Sequence, residues 1–392
     1  MMAHSIRTVP YYRRLNLADS CALQDFPLLD RHTISEHGES FISECYRRDE
    51  LIPYRTSGTT GIPLEFYQHP RDRARAAVAL WGARRWYGIR SPSEPACEFY
   101  GYQGYGLTQS LEPRLIRLNR HQNLVQFSKF DLTGEACAEY WRAMNDHSPR
   151  WFLGSPVDIG RFASWMLAEG YSGPKSIRLI ELISDAVTSA DRDAIANAFP
   201  HAAIANVYAA SEVWTMAYEC PQGSLHTITN NVHIELLDAI SDSSHATGEI
   251  AVTSLIFAAM PMLRYRLGDL ITLRTTPCDC GRPGTVIARI LGRKTTEFAI
   301  SPSGEEVHPS FFTTIVERVN SMHPSAIRRF QFVQHDGWME AKIDQGRGWT
   351  PIAQTCLTAL FTGKFLDMRI VYSFDGIKDR KGEKFKTFIC AQ

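Results

Sequence analysis

A chain of 392 residues that is 44% hydrophobic, 11% aromatic and 21% charged carries core material for two or more domains at about 150 residues each, which excludes a disordered tail and a small disulfide-stapled scaffold. Its 42 basic residues balance 42 acidic ones, so no net positive field gathers nucleic acid or an anionic membrane, and the expected ligand is small. The longest apolar stretch, around Leu255 to Leu263, is interrupted by Pro261 and falls short of the roughly 18 residues that span a bilayer. The segment from Met1 to Arg14 has no apolar run of the secretory kind, so the expected location is the cytoplasm.

From about residue 70 helical and strand periods alternate. The pattern predicts a helix over 72–86, a strand over 97–102, a helix over 134–145, a strand over 151–154, a helix over 157–167 and a strand over 177–183. Thr188, with Asp191 three positions on, opens another helix, and 203–208 reads as a strand. Helices between short apolar strands imply crossovers and a largely parallel sheet. Beyond residue 225 strands separated by turns follow at 226–229, 232–237, 249–254 and 263–273, a β-rich subdomain. The last hundred residues predict a helix over 311–319, a hairpin over 330–343 turning at His335-Asp336-Gly337, a helix over 352–361 and a strand over 368–374. The expected class is therefore α/β: a large N-terminal α/β domain, 1–292, with a β-rich subdomain, and a small α+β C-terminal domain, 293–392.

Three short motifs could carry chemistry. Thr56-Ser57-Gly58-Thr59-Thr60-Gly61-Ile62-Pro63 is a run of hydroxyl and glycine residues whose successive amides can converge on an anion. It lacks the Gly-Lys-Ser/Thr of a Walker loop, and by itself it reads equally as a surface loop. Tyr208-Ala209-Ala210-Ser211-Glu212 stands where a strand ends, the usual ligand edge of an open α/β sheet; an aromatic shelf and a carboxylate there suit a base and Mg²⁺. Arg264-Tyr265-Arg266-Leu267-Gly268-Asp269 places a carboxylate after a glycine, apt for a sugar's paired hydroxyls or for an ordinary turn.

A fourth set is Cys220 and His226 with Cys278 and Cys280. Three thiols and an imidazole make a closed tetrahedral zinc site, structural because no open position remains for water; the alternative is two separate pairs of reduced thiols. Nine cysteines in a chain of this size are otherwise expected to be reduced.

These motifs, together with Val9-Pro10-Tyr11-Tyr12-Arg13, the aromatic-glycine run from Phe99 to Gly106, Met260-Pro261-Met262-Leu263 and Leu291-Gly292-Arg293, occur in an order that resembles the phenylacetate-CoA ligase family and its coenzyme F390 synthetase-like (CapK-like) relatives, a branch of the adenylate-forming superfamily. The resemblance implies activation of a carboxylic acid by ATP with release of pyrophosphate, then capture of the acyl-adenylate by coenzyme A. Capture by an amine, activation of a small oxyacid such as nitrite on an arylamine, and a nucleotide-binding relative without catalysis are the alternatives. It further implies that Ser57, Gly58, Thr59, Thr60 and Gly61 hold the triphosphate, that Tyr208 and Ser211 line the adenine site, that Glu212 binds Mg²⁺, and that Asp269 takes the ribose hydroxyls near Arg293 at the hinge. Tyr102, Tyr105 and Trp214 fall at the acyl pocket, which suggests an aromatic acid. The C-terminal domain becomes a lid that delivers a lysine, for which Gly382-Glu383-Lys384-Phe385-Lys386 nominates Lys384. A homodimer is what the resemblance suggests for assembly.

The chain departs from the family at several positions. Ile62 stands where relatives often have lysine, so one phosphate contact is missing; Ala209 replaces a glycine, Asp185 takes the acidic position before a helix, and Thr295 replaces a hinge carboxylate. Arg264 and Arg266, with Arg293 and Lys384, are the expected local cations for a polyanionic nucleotide.

Overall fold

The computed structural model describes residues 1–56, 64–100, 115–294, 298–307, 309–374, 377 and 386–391. Two compact units divide the chain, one of Met1–Ala186 with Ala198–Leu291, the other of Val187–Asn197 with Gly292–Gln392.

A 12-stranded sheet dominates the described residues. Its parallel part runs Leu124–Ser128, Ala96–Tyr100, Trp151–Gly154, Leu179–Ile183, Ala203–Ala210 in spatial order. These strands read as near-continuous apolar runs because helices cover them, so side chains on both sheet faces are buried. Helices Gly134–His147 and Pro156–Ala168 are each capped by a hydroxyl at their start: the Thr133 and Ser155 side chains accept from the amides of Ala136 and Asp158. Thr188 does the same for Asp191 at 3.1 Å and donates to its carboxylate at 2.6 Å.

After Ala210 the direction changes. Trp214–Glu219 turns back antiparallel on Ala203–Ala210, and Leu225–Thr227, Val286–Arg293, Tyr265–Arg274, His245–Ser254 and Val232–Ser241 follow in spatial order. The β-rich stretch therefore extends the α/β sheet by hydrogen bonds instead of forming a sheet of its own. Strand Trp214–Glu219 escaped the periodicity because Thr215 through Glu219 are all buried, leaving no polar alternation to read. The hairpin stem Ile52–Thr56 with Leu64–Gln68, joined in register from Ile52↔Gln68 to Thr56↔Leu64, was also silent in the pattern.

Within the second unit a four-stranded sheet, ordered Arg369–Ser373, Trp338–Gln345, Ile327–His335, Phe388–Cys390, carries helices Ser310–Met322 and Pro351–Thr362. The predicted hairpin closes on His335↔Trp338, with Gly337 at φ +74° where a side chain would be strained. Phe312 stacks between Phe332 and Phe388, at ring separations of 4.5 and 5.2 Å, to form the core.

One buried ion pair ties three elements of the first unit together. The Arg84 guanidinium donates to Glu181 through Nε at 2.9 Å and Nη2 at 2.7 Å, the Tyr218 hydroxyl donates to the same carboxylate at 2.5 Å, and Trp81 and Trp151 flank the cation at 4.3 and 4.1 Å. Removing one charge leaves the other buried and uncompensated, at a cost of about 3–5 kcal/mol. Glu181→Gln is expected to lower the denaturant midpoint by that amount of stability at unchanged m-value. A midpoint equal to the parent's would mean that the two indoles hold the guanidinium unaided.

Candidate functional site

Strand Ala203–Ala210 ends at the carboxyl edge of the parallel strands, where ligands of open α/β sheets sit. There the chain reverses through Ser211-Glu212-Val213 into Trp214, and the strand register slips between Tyr208 and Ala209. Gln68 holds the reversal from below: its buried amide donates to the Ser211 carbonyl at 3.0 Å. Trp214 adopts φ +68°, a left-handed conformation that costs a tryptophan about 1 kcal/mol or more. Its ring is held by the Arg73 guanidinium, stacked 4.6 Å from the ring centre. Glu212, 6% exposed, lies 3.5 Å from Arg31 Nη2.

Asp269 arrives from the other direction, on strand Tyr265–Arg274. Gly268, at φ +83°, sits in a bulge where the pairing with His245–Ser254 slips between Glu249 and Ala251, so the Gly-Asp step interrupts a continuous strand and is not a hairpin tip. The bulge turns the Asp269 carboxylate to Tyr208, whose hydroxyl donates to Oδ2 at 2.5 Å. Two side chains 61 positions apart, nominated by separate motifs, thus meet in one buried hydrogen bond.

Two of the expected cations are committed elsewhere. Arg266 makes a two-pronged pair with Glu249 at 3.0 and 2.7 Å. Arg264 pairs with Glu235 at 3.2 Å and donates to the carbonyls of Gln24 and Phe26. With the bridge between Leu29 and Tyr265, these bonds fasten the segment leading to Arg31 along the strand and bring Arg31 beside Glu212. Their function in this structure is to hold the site together. Arg31 and Arg73, which no motif marked, are the cations found beside Glu212 and Trp214.

Cys220, His226, Cys278 and Cys280 converge, their ligand atoms all within 4.8 Å of one another. Cys280 Sγ is 3.2 Å from His226 Nε2, while His226 Nδ1 faces the Pro283 carbonyl at 3.2 Å, the outer bond that orients a metal-binding imidazole. Gly281, at φ +67°, makes the tight turn after Cys280, and Gly284 lets the loop close: a Cβ there would fall 2.3 Å from the Thr227 carbonyl. The Ser224 hydroxyl, ahead of the Cys280 amide, pulls the Cys278 thiol down to about 6, toward the thiolate that metals bind. The donor set and its compactness fit one tetrahedral zinc ion.

Arg293, the last residue of strand Val286–Arg293, is counted with the second unit. Ser57, Gly58, Thr59, Thr60, Gly61, Tyr102, Tyr105 and Lys384 lie outside the described residues. No helix among those residues is long and apolar enough to cross a membrane.

No protein-family model matches the chain. It is 24% identical to protein CapK of Staphylococcus aureus over 322 residues, 80% of this chain and 67% of that one. It is also 24% identical to the phenylacetate-coenzyme A ligase of Thermus thermophilus over 351 residues, 85% and 75% of the two chains. Among solved structures, 2-hydroxyisobutyryl-CoA ligase in the postadenylation state superposes with a TM-score of 0.74 at 16% identity, over 99% of this chain and 87% of that one. The same enzyme has been solved with its acyl-adenylate and CoA, where the TM-score is 0.59 at 17% identity, over 99% and 86%. The chain is accordingly a distant homologue of CapK and phenylacetate-CoA ligase, built on the mixed α/β fold of the adenylate-forming CoA ligases.

Proposed function

We propose that this protein is an AMP-forming ligase that activates a carboxylic acid with ATP and transfers the acyl group to coenzyme A. The observation that carries the proposal is the meeting of Tyr208 and Asp269 at 2.5 Å, at the carboxyl edge of the sheet, on the strand that leads directly to Glu212.

In the first step a carboxylate oxygen attacks the α-phosphorus of ATP, the bond to the β-phosphate breaks, and pyrophosphate leaves. In the second the thiol sulfur of CoA attacks the acyl carbon, AMP departs and the thiol proton is released. No covalent enzyme intermediate forms, so the protein contributes position and charge. Tyr208 offers its ring to adenine while its hydroxyl orients the Asp269 carboxylate toward the ribose hydroxyls. Glu212 would hold Mg²⁺ in place of its 3.5 Å contact with Arg31, and the metal would supply positive charge to the phosphates. Residues 57–61 wrap the phosphates, Lys384 supplies the cation between carboxylate and α-phosphate, and Arg293 serves as the hinge arginine between domain 1–292 and a lid, 293–392. Tyr102, Tyr105 and Trp214 select a flat, aromatic acid. Zinc held by Cys220, His226, Cys278 and Cys280 would be structural, since four protein ligands would leave no coordination position for a reactant.

The test supplies ATP, Mg²⁺ and a panel of aromatic and aliphatic acids, traps adenylates with hydroxylamine, and repeats the reaction with CoA and with amines. Hydroxamate from an aromatic acid, lost in Lys384→Ala, and a thioester with CoA are the expected products. Hydroxamate without thioester would transfer the second step to an amine acceptor, and no pyrophosphate with any acid would remove the ligase assignment.

A further inference from the structure

Arg73 lies in the first turn of helix Pro70–Arg84, where the positive end of the helix dipole disfavours a cation. Its guanidinium is half-buried, and burial alone pulls its pKa below the ordinary arginine value. Arginines so placed are normally paired, yet among the described residues Arg73 has no carboxylate partner. Asp72, its neighbour in the helix, accepts from the Ala258 amide at 3.1 Å and lies 3.7 Å from Arg75, and Glu212, two residues before Trp214, faces Arg31.

What holds Arg73 is aromatic. Its guanidinium stands 4.9 Å from the ring of Tyr54 and 4.6 Å from that of Trp214. Tyr54 belongs to the strand Ile52–Thr56 that runs into the hydroxyl-glycine segment, and Trp214 follows Glu212 by two residues, so Arg73 links that strand to the residue at the end of the turn that carries Glu212. Buried polar atoms without a partner lie on the same hairpin stem: the Tyr54 hydroxyl and Gln68 Oε1. A stacked guanidinium keeps its planar donor edge available for a bidentate oxyanion.

We propose that Arg73 is the cation that binds the β- and γ-phosphates of the nucleotide, in an anion subsite walled by Tyr54 and Trp214. It takes over the charge that the loop lacks where Ile62 stands. The proposal rests on the ligase reading above and adds a residue to it. Holding the leaving pyrophosphate, Arg73 offsets the charge that grows on the β-phosphate oxygen as the α-phosphorus is attacked.

Titration calorimetry with Mg·ATP, Mg·pyrophosphate and AMP on the full chain tests it without knowledge of the acid. Arg73→Met, which keeps the stem and removes the charge, is expected to weaken ATP and pyrophosphate binding by about ten- to a hundredfold, as for loss of a charged hydrogen-bonded contact, and to leave AMP within twofold. Arg73→Lys should recover part of the loss, because the charge returns without the stacking fork. Unchanged ATP and pyrophosphate binding in Arg73→Met overturns the subsite, as does an equal loss for AMP, which would mark a structural role. If Arg73→Met fails to fold, Arg73→Lys decides: full parental affinity for ATP and pyrophosphate with altered stability overturns it, and a selective loss for those two ligands supports it. A wild-type protein that binds neither nucleotide removes the ligase reading itself, an outcome distinct from equal binding by parent and variant.

Discussion

Glu212→Gln is expected to lower ATP–pyrophosphate exchange by about two to three orders of magnitude, the loss typical when one preorganised charge-stabilising group is removed. The substitution keeps the volume and hydrogen-bonding shape of a side chain that is only 6% exposed, so the hairpin should survive with its Gln68 to Ser211 bond intact. What it removes is the full negative charge that would attract Mg²⁺, a hard cation that prefers carboxylate oxygen. The Arg31 partner keeps some water contact, at 19% exposure, and meets Glu212 through a single 3.5 Å contact, so the stability change should remain below that expected for Glu181→Gln. The measurement is therefore exchange activity against Mg²⁺ concentration, alongside thermal unfolding. Parental activity at low Mg²⁺ would take Glu212 out of the reaction, and a collapsed melting temperature would show that its role is to anchor Arg31.

The second large effect concerns the cysteine cluster. Protein purified without a histidine tag is expected to hold one zinc per chain, and Cys280→Ser to lose it. Structural zinc binds with on the order of 10 kcal/mol of apparent free energy, which becomes folding energy to the extent that the ligands are not already assembled. Here they are partly assembled: the Cys220 amide donates to the Ser224 carbonyl at 2.8 Å, Leu225–Thr227 is paired on both sides, and Gly281 bonds back to the Cys278 carbonyl at 3.1 Å. Part of that energy, not all of it, should therefore appear as lost stability, read as a lower melting temperature in Cys280→Ser and in parent protein treated with a strong chelator. The cluster packs beside Trp86, which stacks edge-on to both His226 and Tyr218, so quenching or shifting of tryptophan fluorescence on chelation gives a local readout. A metal-free parent that is indifferent to chelator would sink the zinc assignment and return the thiols to ordinary reduced cysteines.

Much of this was legible before any fold was known. The cap at Thr188 and the turn at Gly337 are local: each depends on residues within a few positions, and the side-chain chemistry at those positions decides the backbone. The crossover pattern followed from the alternation of periods, and the motif order pointed to relatives that the comparisons then returned at 24% identity. The residue types of the metal cluster were also readable, since few other uses gather three thiols and an imidazole.

Partner choice was not legible, because it is made between residues distant in sequence. Arg264, Arg266, Arg31 and Arg73 are alike as letters, and the motif ending in Gly268-Asp269 favoured the first two as ligand-binding cations. Folding sets Glu235 beside Arg264 and Glu249 beside Arg266, 29 and 17 positions away, which neutralises both. It leaves Arg73 between two aromatic rings, with no carboxylate paired to it among the described residues. Likewise the 61 residues between Tyr208 and Asp269 contain no pattern that announces their hydrogen bond; a glycine bulge and a register slip create it. The sequence by itself determined which chemistry the chain can hold and where its elements begin. The tertiary structure decided which charges are already spent on one another: the two-pronged Arg266–Glu249 pair is closed at 3.0 and 2.7 Å, whereas Glu212 meets Arg31 at a single 3.5 Å contact that a ligand can replace.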